Sequence, residues 1–169
     1  MTVFDAMEKP GGMMRYGIPR YRLADELVDR EVQWLLDHGI QFRGGVQVGR
    51  DITLQQLRDD GYQAILLAVG MQKSRGLRID GSEAKGVMYG IDFLRDINLG
   101  RKPQVGEKVL IIGGGNVAID AARSALRLGR QQSDQTVALD AARSALRLGA
   151  KEVHLVCLES PEEMPAPDW

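Results

Sequence analysis

The apolar positions of the chain recur with clear periods, and these periods predict an alternation of helices and strands. Apolar residues follow a helical spacing between Asp25 and His38, and Gly39 is a natural terminator of that helix. Thr53 and Gln56 have the spacing of a capping box, which predicts a short helix ending near Gly61. Another helix is predicted from Tyr89 to Ile97.

Short apolar runs between these helices predict buried strands. Thr2 to Asp5 has the pattern of a strand end followed by an acid, and Tyr62 to Val69 that of a buried strand. Val109 to Ile112 is rich in β-branched residues, and Glu152 to Leu158 predicts the next strand along the chain. The alternation predicts an α/β fold built from Rossmann-like units of parallel sheet. Residues 9–19, rich in glycine and proline, predict a loop.

A glycine motif joins the strand at 109–112 to a helical pattern over 117–128. Gly113, Gly115 and Ala118 form G-x-G-x-x-A, and this context of strand, turn and helix is typical of dinucleotide binding. The glycines allow a tight turn and close approach of a pyrophosphate, and the alanine keeps the helix close to the strand. The alternative is a glycine turn that only packs. The predicted nucleotide-binding residues are Gly113, Gly114, Gly115, Asn116, Val117 and Ala118.

The helix after this turn occurs twice in the sequence. Residues 117–129 and 137–149 are identical except that Ile119 corresponds to Leu139. We expect the first copy to dock at the nucleotide site and the second to form an extra helix or excursion. The alternative is that the second copy docks, which would disrupt the phosphate site. The identical apolar faces also invite register exchange, domain swapping or a homodimer.

Glu159 follows the last predicted strand, where a carboxylate can accept hydrogen bonds from the ribose hydroxyls of NAD. Its distance from the glycine motif fits the usual spacing only when one copy of the helix is discounted. The alternative for Glu159 is an ordinary solvated acid.

Composition narrows the class of protein. The chain has 169 residues, a net charge of -1 and one cysteine, which suits one or two small cytoplasmic domains. The near-zero charge argues against nucleic-acid or membrane surfaces, and we find no signal peptide and no run of transmembrane length. Cys157 is expected to be a small buried residue, and no metal-ligand cluster is evident. The best linker, residues 100–106, predicts two domains, 1–102 and 103–169.

Several long motifs resemble one family, the small (β) subunit of glutamate synthase and its relatives. These relatives include the flavin half of dihydropyrimidine dehydrogenase and NAD(P)-dependent ferredoxin oxidoreductases. The resemblance rests on V-F-D-A-x-x-x-P-G-G-M-M-R-Y-G-I-P at 3–19, V-x-V-G-x-D-I-T-L at 46–54, G-G-G-N-V-A-I-D-A-A-R at 113–123 and E-E-M-P-A at 162–166.

The resemblance implies a flavoprotein with two dinucleotide-binding domains. Hydride would pass from NAD(P)H to FAD, and electrons would leave through iron–sulfur centres to a partner domain or subunit. Because the cofactors carry this chemistry, we predict no catalytic residue. By the resemblance, Asp5 would hold the FAD ribose and Val46 would contact the adenine through its backbone. The other positions that it implies near the flavin are Gly11, Gly12, Arg15 and Gly70.

The sequence also departs from the family pattern. Members commonly have V-Y-R-R-S-R before E-E-M-P-A, and the paired arginines would bind the 2′-phosphate of NADPH. This chain has Leu158 and Glu159 at the paired positions, so we expect it to favour NADH. The first FAD glycine motif and the cysteine-rich domain are missing, so we expect an internal piece of a longer flavoenzyme or a degenerate product. Two functions stay open, an oxidoreductase fragment and a catalytically silent nucleotide-binding or interaction module.

Overall fold

The computed structural model describes residues 1–106, 108–132 and 152–156. The chain divides into two compact units after Gln72. This division differs from the predicted boundary in the linker at 100–106. The reason is the helix at Gly90–Asn98, which packs on the helix at Asn116–Gln132 and therefore belongs with the second unit. The assignment of FAD to residues 1–102 and of NAD(P) to residues 103–169 stays a prediction.

A parallel strand pair and its crossover form the first unit. Strand β1 (Thr2–Phe4) pairs with β2 (Gln41–Arg43), and Val3 lies opposite Phe42. Between them lie the short helix α1 (Gly12–Tyr16) and the longer α2 (Asp25–Asp37). The structure thus confirms the strand at the chain start and the helix predicted from Asp25.

The predicted loop at residues 9–19 is wrong in one respect, because it contains α1. The hydroxyl of Tyr16 accepts a hydrogen bond from the Lys9 N–H and donates one to the Lys9 carbonyl, both at 3.1 Å. Tyr16 is buried, so this pair of bonds fastens the loop to the helix.

Helix α3 (Leu54–Asp59) begins with the predicted capping box. The Thr53 hydroxyl accepts a bond from the Gln56 N–H at 3.1 Å, and the Gln56 side-chain oxygen accepts one from the Thr53 N–H at 2.8 Å. Two N–H groups that the helix cannot satisfy internally are thereby bonded.

The strand predicted over Tyr62 to Val69 is wrong. This segment makes no strand pairing, and the side chains of Leu66 and Val69 are 89% and 76% exposed. An isolated extended segment cannot form a strand, because its backbone groups need a neighbouring strand as partner. No strand among the residues described lies beside it.

The second unit contains a β–α–β arrangement. Strand β3 (Lys108–Ile112) leads into α5 (Asn116–Gln132), and β4 (Glu152–Val156) pairs with β3 in parallel. The predicted strand at 109–112 and helix at 117–128 are confirmed, and so is the following strand as far as Val156. Helix α4 (Gly90–Asn98) confirms the helix predicted from Tyr89.

The core of this unit lies between the two helices and one face of β3. Phe93 and Leu94 of α4 pack with three small or apolar residues of α5, and Val109 and Ile111 pack against the cluster. The α5 members are Ala121, Ala125 and Leu128. Leu110 and Ile112 point away from this core and are largely exposed.

Three sequence predictions fall outside the residues described. They concern the second helix copy at 137–149, the buried Cys157 and the ribose acid Glu159. Among the helices that are described, none has the length and apolar character needed to cross a bilayer.

The turn at residues 47–52 is fixed by one carboxylate. Asp51 accepts bonds from the Gln47 N–H at 2.8 Å and from the guanidinium of Arg50 at 2.9 and 2.8 Å. The Arg50 hydrogen bond, followed by that from Gln47, lowers the pKa of Asp51 to about 2.

We therefore expect Arg50→Ala to raise the pKa of Asp51 towards its ordinary range, as read from the side-chain carboxyl shift in an NMR titration. Because folding lowers this pKa, the ionised carboxylate stabilises the fold at neutral pH, and that contribution is lost as pH falls towards 2. In the variant the loss begins at higher pH. An unchanged pKa in Arg50→Ala, with Arg58→Ala as the control, would contradict this account.

Candidate functional site

The glycine turn after β3 adopts the geometry that the motif requires. Gly113 has φ of 122°, in the region that favours glycine, and Gly114 is buried. The Gly115 carbonyl accepts hydrogen bonds from the N–H groups of Ala118 at 2.9 Å and Ile119 at 3.1 Å. Helix α5 therefore starts directly from the turn.

Packing holds the first turn of α5 close to the end of β3. A Cβ added to Gly113 would lie 3.5 Å from the Cβ of Ala118, an ordinary van der Waals distance, so Ala118 lies directly beside the turn. A Cβ at Gly90 would lie 3.0 Å from Val117, which brings the start of α4 against the start of α5. The sequence analysis missed Gly90, because a glycine within a helical pattern gives no signal of what it touches.

The start of α5 can accept an anion. Asn116 and Val117 are exposed there, and the first N–H groups of a helix have no acceptors within the helix. Together with the positive end of the helix dipole, these groups favour a phosphate. The structure thus brings together the six residues from Gly113 to Ala118 that the motif predicts. Whether they bind a nucleotide stays a prediction.

In the first unit, Asp5 and Val46 come together at the carboxyl ends of β1 and β2. The Val46 N–H donates to the Asp5 carbonyl at 2.9 Å, and the Asp5 N–H donates to the Arg43 carbonyl at 3.1 Å. One carboxylate oxygen of Asp5 accepts a bond from the Met7 N–H at 2.9 Å. Because the Val46 N–H is already bonded, a backbone contact of Val46 with an adenine would use its carbonyl oxygen.

Gly11 and Gly12 have different surroundings although they are neighbours. Gly11 has φ of 119°, and a Cβ there would lie 2.7 Å from Cγ1 of Val28, so Gly11 allows α1 to pack on α2. A Cβ on Gly12 would meet nothing within 4 Å. Gly12 is therefore the one of the pair with space beside its backbone for a planar ring.

Arg15 is buried and links this loop to α2. Its side chain is 5% exposed, and its Nε donates to the Pro10 carbonyl at 2.6 Å. The guanidinium also pairs with Asp29 and lies 3.8 Å from a carboxylate oxygen of Asp25. A buried arginine needs such partners, and these fix the chain just before Gly11. The sequence analysis missed both acids, whose spacing of one helical turn was an available signal.

Gly70 stands apart from the other residues of the first unit. It has φ of 65° and lies in the exposed segment after α3. Among the described residues, no hydrogen bond joins it to the cluster around Asp5. Its predicted place beside the flavin therefore gains no support from this geometry.

A parallel β–α–β unit with a glycine turn at its first junction is the nucleotide-binding element of Rossmann-type proteins. The chain belongs to the pyridine nucleotide-disulphide oxidoreductase family, whose sequence profile matches residues 4–161. The Rossmann-like α/β fold class is thereby confirmed.

The similar sequences confirm the resemblance described above. The chain is 37% identical over 169 residues to the NADP(+)-dependent formate dehydrogenase subunit beta of Moorella thermoacetica, covering 98% of this chain and 21% of that protein. It is 36% identical over 137 residues to the NADPH glutamate synthase small chain of Bacillus subtilis, covering 75% and 28%. The chain thus spans only 21% to 28% of the length of these relatives.

Solved structures of FprA, an oxidoreductase of Mycobacterium tuberculosis, are also similar. A point mutant of FprA matches with a TM-score of 0.71 and 28% identity, covering 96% of this chain and 37% of that chain. FprA in complex with NADPH matches with a TM-score of 0.65 and 26% identity, covering 76% and 31%.

The two adjacent glycines of the first unit provide a matched test of this geometry. We expect Gly11→Ala to lower the free energy of unfolding by about 2–4 kcal/mol, because it combines an unfavourable φ with a clash against Val28. Gly12→Ala introduces only the backbone strain and should lower the free energy of unfolding by about 1 kcal/mol. Denaturant unfolding measures both, and equal losses would show that the packing at Gly11 does not matter.

Proposed function

We propose that this chain is the dinucleotide-binding part of an NAD(P)H-dependent flavin oxidoreductase of the glutamate synthase small-subunit type. The turn from Gly113 to Ala118 binds the pyrophosphate of the pyridine nucleotide, and the first unit binds FAD. Reduced nicotinamide supplies a hydride that the flavin accepts. The protein's contribution is to bind and orient both groups, so no acid, base or nucleophile is assigned to it.

The observation that carries this proposal is the contact between the glycine turn and α5. The Gly115 carbonyl accepts hydrogen bonds from the N–H groups of Ala118 and Ile119, so the helix begins at the turn and its first N–H groups lie there without acceptors in the helix. No side chain from Gly113 to Gly115 stands between that space and the backbone. A pyrophosphate can therefore approach the main chain closely, which is the requirement of the motif.

Features of the first unit support the FAD half of the proposal. The Asp5 carboxylate uses one oxygen for the Met7 N–H, which leaves its second oxygen for a ribose hydroxyl. Gly12 has open space beside it, and Arg15 fixes the chain that precedes Gly11. Gly70 is the weakest part of this site, because nothing described links it to the others.

The partner and the location of the protein are further parts of the proposal. The Moorella thermoacetica relative is named as a subunit beta, and such names suggest that electrons pass on to another subunit. We propose an iron–sulfur or catalytic partner domain or subunit as the acceptor. A cytoplasmic location stays a prediction of the sequence.

The second candidate function is a catalytically silent nucleotide-binding or interaction module. The segment from Ile65 to Met71 favours it, because five of its large apolar side chains are exposed and its backbone pairs with no strand among the residues described. Because this segment is unpaired, the first unit offers a bound flavin fewer rigid contacts. Bound flavin and its reduction distinguish the two functions.

The first experiment is the visible absorption spectrum of the purified chain, before and after anaerobic addition of NADH. A flavin spectrum that bleaches with NADH would support the oxidoreductase function for this chain. We also expect Ala118→Leu to lose the response to NADH, because the larger side chain displaces the Gly113 turn.

Ala118→Gly is the matched control. It adds no side chain at the turn and lowers the stability of the helix by about 1 kcal/mol. Thermal unfolding checks that both variants fold. A colourless protein that still changes NADH fluorescence would support the silent module. Bleaching by NADH that persists in the Ala118→Leu variant would show that the nucleotide binds at another place.

We also propose that the chain favours NADH over NADPH. The support is the sequence at Leu158 and Glu159, where the family has paired arginines; both residues lie outside those described. The relatives above are named for NADP(+) and NADPH, so the preference is a property to be measured in this chain.

We expect Glu159→Arg to shift the ratio of NADPH to NADH affinity by about tenfold or more, the effect of gaining a charged hydrogen bond to the 2′-phosphate. Glu162→Arg makes the same change of charge three residues away and should shift the ratio much less. Fluorescence titration at moderate salt measures both nucleotides. Equal binding of NADH and NADPH by the unchanged chain would show the proposed preference to be wrong.

A further inference from the structure

We propose that Gly44 and Gly45 are positioning residues for the adenosine half of FAD. They allow the chain after β2 to cross the loop after β1, and this crossing sets where the Asp5 carboxylate and the Val46 carbonyl lie. This role rests on the proposed function, since it requires FAD to bind the first unit.

Three backbone hydrogen bonds join the two segments at the crossing. The Asp5 N–H donates to the Arg43 carbonyl at 3.1 Å, and the Val46 N–H donates to the Asp5 carbonyl at 2.9 Å. The Gly45 N–H donates to the Met7 carbonyl at 3.1 Å. These bonds continue past the ends of the paired strands β1 and β2, so the two segments run directly against each other.

The close approach of the segments requires Gly44 to have no side chain. A Cβ there would overlap the Glu8 carbonyl group, with its carbon at 2.9 Å, and would lie 2.8 Å from Cε1 of Phe42. Carbon atoms in contact are separated by about 3.5–4.0 Å. Because the Glu8 atoms belong to the backbone, no change of rotamer relieves that overlap. A side chain at position 44 must therefore push the two segments apart.

Gly45 provides the backbone conformation that leads into Val46. It has φ of 71°, in the left-handed region that favours glycine. A Cβ on Gly45 would lie 3.0 Å from Oε1 of Glu8, so the end of that side chain lies beside the Gly45 backbone. A change of conformation at Gly45 would redirect the chain and turn the Val46 carbonyl.

The chemistry of the crossing suits adenosine better than a phosphate. One oxygen of the Asp5 carboxylate bonds the Met7 N–H at 2.9 Å, and the other can accept a bond from a ribose hydroxyl. Glu8 brings a second carboxylate beside the glycine pair. Carboxylates accept bonds from hydroxyl and amino groups and repel phosphates. The Val46 carbonyl is also an acceptor, and the adenine amino group is a donor.

FAD and FMN distinguish positioning of adenosine from a general loss of structure, because FMN lacks the adenosine half. We expect Gly44→Ala to lower the FAD affinity of the full chain about tenfold or more, the effect of weakening a charged hydrogen bond. The FMN affinity should change little. Quenching of flavin fluorescence on binding measures both affinities.

Gly49→Ala is the matched control. Gly49 stands three residues beyond Val46 and has φ of 92°, and a Cβ there would meet nothing within 4 Å. This variant introduces backbone strain close to the crossing without separating the segments. It should keep the ratio of FAD to FMN affinity.

Amide hydrogen exchange measures the crossing without any flavin. The N–H groups at positions 45 and 46 should be protected in the unchanged chain, because both are bonded to carbonyls of the other segment. Gly44→Ala should remove this protection, and Gly49→Ala should retain it. If Gly44→Ala does not fold, Gly45→Ala takes its place as a milder variant, since its Cβ meets only the end of the flexible Glu8 side chain. It should show the same losses to a smaller degree.

Three results overturn the positioning role while FAD still binds the unchanged chain. Protection that persists in Gly44→Ala shows that the segments meet even with a side chain present. Lost protection with an unchanged ratio of FAD to FMN affinity shows that the crossing does not position the adenosine. Equal losses of FAD and FMN affinity show a general loss of structure. If the unchanged chain binds neither flavin, the proposed FAD site itself is wrong, and the positioning role is wrong with it.

Discussion

The close contact between the glycine turn and the first turn of α5 is the constraint on which the second unit depends. Ala118 lies beside the Gly113 turn, and its N–H donates to the Gly115 carbonyl at 2.9 Å, so the helix begins at this contact. Further along α5, Ala121 and Ala125 let α4 approach closely enough for Phe93 and Leu94 to fill the core. Packing along the whole of α5 thus fixes the position of its first turn. A rigid first turn holds its N–H groups in place to bind a ligand.

The first unit is held together in a different way. Few of its large apolar side chains are buried, and its loop before α1 is fixed by polar bonds from Tyr16 and by the buried Arg15. Arg15 lies between the Pro10 carbonyl and two acids of α2, so loss of one acid would leave a buried charge short of partners. A site built on such bonds is well defined locally. It lacks the continuous apolar support that β3, α4 and α5 give to each other.

Sequence reasoning succeeded where the signal is local. A few neighbouring residues determine each of three features, and the structure confirms all of them: the capping box at Thr53, the helix from Asp25 and the turn at Gly113. It failed where the outcome depends on distant partners. The apolar run at 62–69 has the composition of a strand, but strand formation also needs a neighbour. The compact units divide after Gln72 rather than in the linker at 100–106, because the packing of α4 on α5 joins segments that this linker separates in sequence. The role of Arg15 required knowing that α2 folds back beside the loop.

The duplicated helix is the extreme case of this limit. Local sequence predicts the same helix with the same apolar face for both copies, and the structure describes only the first. What distinguishes them lies outside the helices: the glycine turn precedes the first copy, and the strand β4 follows the second. In the structure the first copy follows the glycine turn, where Ala118 lies beside Gly113, whereas in the sequence only two residues separate the second copy from β4. Each copy therefore adjoins one of the two junctions of a β–α–β unit, and the first junction is the one at which the helix start can accept a phosphate.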